Sequence, residues 1–119
     1  MRDSRGSQKR AAKRGFFTFM YYIYILYSET SDLYYIGYSD NVDRRLSEHN
    51  NAPYNTFTSK HRPWKIKAVF TASEELGLTL KIERFIKKQK SRNFLERLCS
   101  MEKVDLPLAL LVRVPQLRD

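Results

Sequence analysis

Tyrosine and isoleucine crowd residues 21–28, YYIYILYS, and predict a strand, because aromatic and β-branched side chains suit a pleated, half-buried surface. The polar run Glu29-Thr30-Ser31-Asp32 predicts a hairpin loop, and residues 33–38, LYYIGY, predict the partner strand. Gly37 falls near the end of that strand, where a backbone bend or a close ligand approach is expected. The period then changes. Val42, Leu46 and His49 stand at helical spacing, with Ser39 or Asp40 as the cap and Asp43 in the first turn. Residues 51–63 carry Pro53, Pro63 and many polar side chains, and predict a loop. A third strand is expected over 64–72, WKIKAVFTA. Here Trp64, Ile66, Ala68 and Phe70 point to one face, and Lys65 and Lys67 to the other.

Ser73 is the expected cap of a long helix, with Glu74 and Glu75 in its first turn and Leu78, Ile82, Phe85 and Ile86 along its buried stripe. That helix runs into Lys87, Lys88, Lys90 and Arg92, and Ser91 caps a further helix reaching about Met101. The tail, 104–119, is apolar but broken by Pro107 and Pro115, so it is expected to pack on the domain as irregular or short structure. The order β-β-α-β-α-α predicts an α+β fold, a three-stranded, mainly antiparallel sheet flanked by helices, over residues 20–103.

The 119 residues suit one domain with a modest core, and 42% hydrophobic with 29% charged residues describes a folded chain. Net charge is +9, a balance that attracts polyanions through Coulomb energy and counterion release. The charge is uneven. Six basic residues against one acidic leave +5 on residues 1–20, while 16 against 12 leave +4 on the rest. The domain itself is therefore only moderately basic, and charge alone does not carry a function. Residues 1–19 read as a disordered basic arm or an over-called start of translation. Phe16 to Tyr27 imitates a signal peptide, but it is rich in tyrosine, lacks a small-residue cleavage site and is too short to span a membrane. Cys99 is the only cysteine, which excludes an intrachain disulfide and a cysteine zinc cage and fits a reducing cytoplasm. Two histidines, His49 and His61, are too few for a histidine-rich metal site.

Several short motifs fall at meaningful spacing. Tyr22-Ile23-Tyr24 and Tyr35-Ile36-Gly37 lie one hairpin apart. Arg45 and His49 share a helix face. Glu83 sits in LKIERFIKKQKSR, and Lys60-His61-Arg62-Pro63-Trp64 closes the loop before the third strand. Together these residues resemble the GIY-YIG nuclease superfamily, in its short single-domain bacterial form, over roughly residues 21–98. Tyr22 stands where the family name has glycine. The resemblance implies a divalent-metal-dependent endonuclease that cuts a phosphodiester bond in DNA; it implies the reaction type and not the substrate, for which branched or damaged DNA is the expectation. It also implies one Mg²⁺ or Mn²⁺ ion on Glu83 and catalytic roles for Tyr24, Tyr35, Arg45 and His49. A monomer or weak dimer is expected, with either weak or structure-based selectivity of its own or a protein partner supplying specificity.

The chemistry explains the residue types. A hard cation uses few protein carboxylates, and water and phosphate complete its shell, so one glutamate is enough. A guanidinium offers fixed charge and several donors to a phosphoryl group that gains charge. Either Tyr24 or Tyr35 is the base or orienter for water, with the other as its partner. A phenol near pKa 10 needs help for that task at neutral pH. Arg44, Lys60, Arg62, Lys87, Lys88, Lys90 and Arg92 are the expected nucleic-acid contacts. The alternative is a nucleic-acid-binding module of the same fold without catalysis, in which Glu83 merely pairs with Lys87 one helical turn on.

Overall fold

A computed structural model describes residues 19–53 and 55–115. The expected basic arm lies outside the described residues apart from Phe19, as do the last four residues of the tail. The chain forms β1 (Tyr21–Ser28), β2 (Leu33–Ser39), α1 (Val42–Asn51), a short 3₁₀ turn (Thr58–His61), β3 (Trp64–Ser73), α2 (Leu76–Lys88), α3 (Arg92–Leu98), β4 (Lys103–Asp105) and β5 (Leu110–Arg113). The fold is α+β, as expected, but the sheet has five strands rather than three, in the order β2-β1-β3-β5-β4. Every neighbouring pair is antiparallel. The extra hairpin comes from the tail. Its strands are short and Pro107 and Pro115 fall outside them, so they leave little periodicity to read. Leu111 is fully buried and Val114 N donates to Val69 O at 2.7 Å, so the hairpin continues the sheet and closes its core. Among the described residues no helix is long and apolar enough to cross a membrane.

Helices cover both faces of the sheet, so the central strand β1 is buried on both sides. Ile23 and Ile25 face α2 and α3 in a core with Phe70, Ile82, Ile86, Leu98 and Leu111. Tyr24 and Leu26 face α1, in a second cluster with Trp64 and Val69 against which Val42 and Leu46 pack. This explains why YYIYIL shows no apolar–polar alternation: its residues Ile23 to Leu26 are buried whichever face they point to.

The third strand departs from its expected alternation. Leu26 pairs with Ile66 while Ile25 pairs with Ala68, so Lys67 is an extra residue at a bulge. One inserted residue reverses the parity of everything beyond it. Trp64 and Ile66 therefore join the α1 side, whereas Ala68 and Phe70 join the α2 side.

The helix starts differ too. Asn41, not Ser39 or Asp40, caps α1, its side chain accepting from Arg44 N at 3.0 Å. Ser39 instead turns the chain ahead of the cap, accepting from Asn41 N at 2.9 Å and donating to Asn41 O at 3.0 Å. Ser73 does the same before α2, bonded to N and O of Glu75. Glu74 and Glu75 thus precede the first turn of α2 rather than lying within it. Ser91 caps α3 through Phe94 N at 3.1 Å, and α3 ends at Leu98, short of Met101.

Leu111→Ala is expected to lower the free energy of urea unfolding by about 2–5 kcal/mol, the range for emptying a buried leucine site. Its neighbour Leu110 is 52% exposed, and Leu110→Ala should change stability by about 0.5 kcal/mol or less. Two equally small effects would mean that the β4–β5 hairpin lies outside the cooperative unit.

Candidate active site

β2 is an edge strand, and at its outer edge the two helical layers meet around a groove of about 240 Å³. Tyr24, Tyr35, Gly37, Arg44, Arg45 and Glu83 line it. Tyr24 and Gly37 are direct cross-strand partners, and the tyrosine ring lies across the glycine. A Cβ on Gly37 would come within 2.5 Å of Tyr24 Cζ and closer still to the hydroxyl, so only glycine leaves room for this ring. Tyr35 projects to the same face, with its ring centroid 6.5 Å from that of Tyr24. Arg45 enters from α1, and its Nη1 donates to Glu48 Oε1 at 2.8 Å. Glu83 enters from α2, in the opposite layer, with its side chain only 15% exposed. The sequence-predicted Tyr24, Tyr35, Arg45 and Glu83 therefore share one groove.

His49 stands one turn after Arg45 but does not line the groove; it lies behind the tyrosines and is buried. Its Nε2 is 2.9 Å from the Tyr24 hydroxyl and its Nδ1 is 3.0 Å from Thr58 Oγ1. Burial, and then the Arg45 charge, push the imidazole down from 6.5 to about 4, so His49 is neutral at physiological pH. Burial also pushes the Tyr24 phenol well above 10; Tyr35 and Glu83 add to the rise, while Arg45 opposes it. The Arg45 guanidinium loses some preference for its charge through burial, but the Glu48 hydrogen bond and the nearby tyrosines outweigh this and raise its pKa.

The Glu83 carboxylate also pairs with Lys87 Nζ at 3.4 Å, so the helical ion pair and the groove position coexist. Glu83 suits a hard cation, since it presents carboxylate oxygen to an open, polar-lined space that water and phosphate can share. Among the described residues no three His, Cys, Asp or Glu side chains cluster, so such an ion would rest on few protein ligands.

The expected nucleic-acid contacts are dispersed. Arg44 lines the groove and pairs with Asp40 at 3.4 Å. Lys60 and Lys88 are exposed elsewhere. Lys87 and Lys90 line a second groove at the end of α2. Arg62 turns inward, with Nε donating to His49 O at 2.6 Å and Nη2 to Ala52 O at 2.7 Å, which closes the C-terminus of α1. Arg92 is held by Asp32 at 2.5 Å and Glu96 at 3.1 Å, and lies 5.1 Å over the Tyr34 ring. Sequence reasoning missed Tyr21, Tyr38, Ser39 and Asp40 in the groove wall, and Thr58 behind His49. Position beside the YIG tripeptide was an available signal for Tyr38 to Asp40. Thr58 carried no local signal, because only the folded loop brings it to the imidazole.

The molecule is a small α+β domain with tyrosine, arginine and glutamate gathered at a sheet edge. Residues 20–96 match the family model described as the GIY-YIG catalytic domain, and the chain belongs to that family. The match ends before β4 and β5, so the closing hairpin lies beyond it. A search of curated proteins gives no significant match.

His49 also makes stability depend on pH. A pKa held below its unfolded value of 6.5 means that the unfolded chain binds the extra proton between about 6.5 and about 4. The stability contributed by neutral His49 is present above about 6.5 and is lost as the pH falls toward about 4. Urea unfolding across this range should show that decline in the wild type and a shallower one in His49→Gln. Parallel profiles would contradict a neutral, buried imidazole.

Proposed function

We propose that this chain is a divalent-metal-dependent endonuclease that cleaves a phosphodiester bond in DNA. The carrying observation is that Arg45 and Glu83, from helices on opposite faces of the sheet, reach one groove floored by Tyr24 and Tyr35. Membership of the GIY-YIG family supports the reaction class. Arg45 holds a non-bridging phosphate oxygen and offsets charge that grows in the transition state. Glu83 would hold the metal, and Mg²⁺ or Mn²⁺ would supply Lewis-acid stabilisation of the charge that grows on the phosphate.

Tyr24 is the stronger candidate for the group that orients the attacking water. Its raised pKa makes a free tyrosinate scarce at pH 7, so it does not act alone. The neutral His49 at 2.9 Å fixes the direction of its hydroxyl. With Nδ1–H donating to Thr58, Nε2 accepts from the Tyr24 hydroxyl. The phenol oxygen, its own proton directed to His49, keeps a lone pair toward the water and orients it for attack, and the proton of the water leaves to solvent. Tyr35 orients the water from the adjoining strand. The DNA contacts favour structure, such as a branch or lesion, over base sequence, because the groove presents charge and aromatic faces rather than a helix for the major groove.

The Glu83–Lys87 pair favours a second reading, DNA binding without cleavage, in which the lysine satisfies the carboxylate and no metal is held. Plasmid nicking with Mg²⁺ separates the two. Arg45→Ala and Glu83→Ala should each lower the nicking rate by about 10²-fold or more, while DNA affinity changes only a few-fold. A wild type that binds plasmid but never nicks it supports the second reading. Equal nicking by all three proteins rejects these roles for Arg45 and Glu83.

A further inference from the structure

A second groove, of about 220 Å³, adjoins the first at the elbow between α2 and α3. Tyr35 lines both. Tyr34 and Leu95 form half-buried apolar walls over Ile36 and Ile86, and Lys87 and Lys90 sit at the rim. Lys87 also pairs with Glu83, which lines the first groove.

Lys90 is unusual in its backbone. Its φ is 48°, in the left-handed region just beyond a helix end, where glycine fits and a β-carbon carries a steric cost. A glycine here would close the helix with less strain, yet the chain keeps a long cationic side chain at the groove. Strain that the fold does not need points to a use for the side chain.

From this geometry we infer that the second groove seats the nucleotide next to the scissile phosphate, in DNA that is unpaired at that point. The inference rests on reading the first groove as the site of cleavage. Lys87 and Lys90 hold the phosphate as point charges, and the apolar walls receive the base. A base stacked within a duplex hides its faces, so only an unstacked base can present them to Tyr34 and Leu95. This makes an unpaired nucleotide beside the cut part of the recognised substrate.

Lys90→Gly separates the ligand role from the structural one. The variant should melt at the same temperature as the wild type or higher. It should bind a flapped oligonucleotide, in EDTA to prevent cleavage, several-fold more weakly, with the slope of log affinity against log salt reduced by about 1. An abasic residue at the nucleotide beside the cut, which leaves the phosphate in place, should also weaken wild-type binding several-fold. With Mg²⁺, the wild type should nick flapped DNA faster than continuous duplex. An unchanged salt slope in Lys90→Gly overturns the phosphate contact. Equal affinity for abasic and intact strands overturns the base seat, and leaves a backbone groove only. A wild type that binds but does not nick overturns the cleavage reading and this inference with it.

Discussion

The phenol ring of Tyr24 lies flat across a residue without a side chain, and the candidate site is arranged around that contact. β1 is buried on both faces, so an aromatic ring of this size must find its space within the sheet itself. Gly37, directly opposite, supplies it. The hydroxyl then falls within reach of His49, whose other nitrogen is held by Thr58. Because Arg45 precedes His49 by one helical turn, fixing the histidine against the sheet also fixes where the guanidinium emerges. Arg62, bonded to the carbonyls of His49 and Ala52, holds the far end of the same helix.

The edge position of β2 does the rest. An interior strand would keep the two helical layers apart, with the sheet as a wall between them. At the rim, Glu83 from α2 and Arg45 from α1 reach the same space although they belong to opposite faces. The charges are close enough to shift their neighbours: Arg45 opposes the rise of Tyr24 and pushes His49 toward its neutral form. A neutral imidazole beside a neutral phenol fixes the direction of the hydroxyl without placing a further charge in the core. The far rim, β4, lies three strands from β1, and the hairpin it forms with β5 covers the core rather than the groove.

What could be read from the chain alone followed the range of the forces involved. Strand composition in YYIYILYS, the ETSD hairpin and the Leu78–Ile86 stripe depend on neighbours a few residues away, and these features fold as expected. Tyr24, Tyr35, Arg45 and Glu83 are also legible, but through the resemblance of their motifs to the GIY-YIG family rather than through spacing alone. Short strands interrupted by proline are not legible, because three or four residues carry too little period to separate β4 and β5 from a loop. The caps differ from expectation because Ser39 and Ser73 bond the backbone two residues on, a local turn that imitates a helix start in sequence.

The elements, the hairpin that pairs the two tyrosine motifs, and the family are all written in local pattern, and the chain specifies them unaided. The bulge at Lys67 that sends Trp64 and Phe70 to opposite faces, the burial of His49 against Thr58, and the inward turn of Arg62 exist only in the folded molecule. So does the meeting of groups from two layers at one strand edge. The reason is physical. Periodicity and turn chemistry act within a few residues, whereas register, burial and charge depend on groups that come together only after the chain has closed on itself.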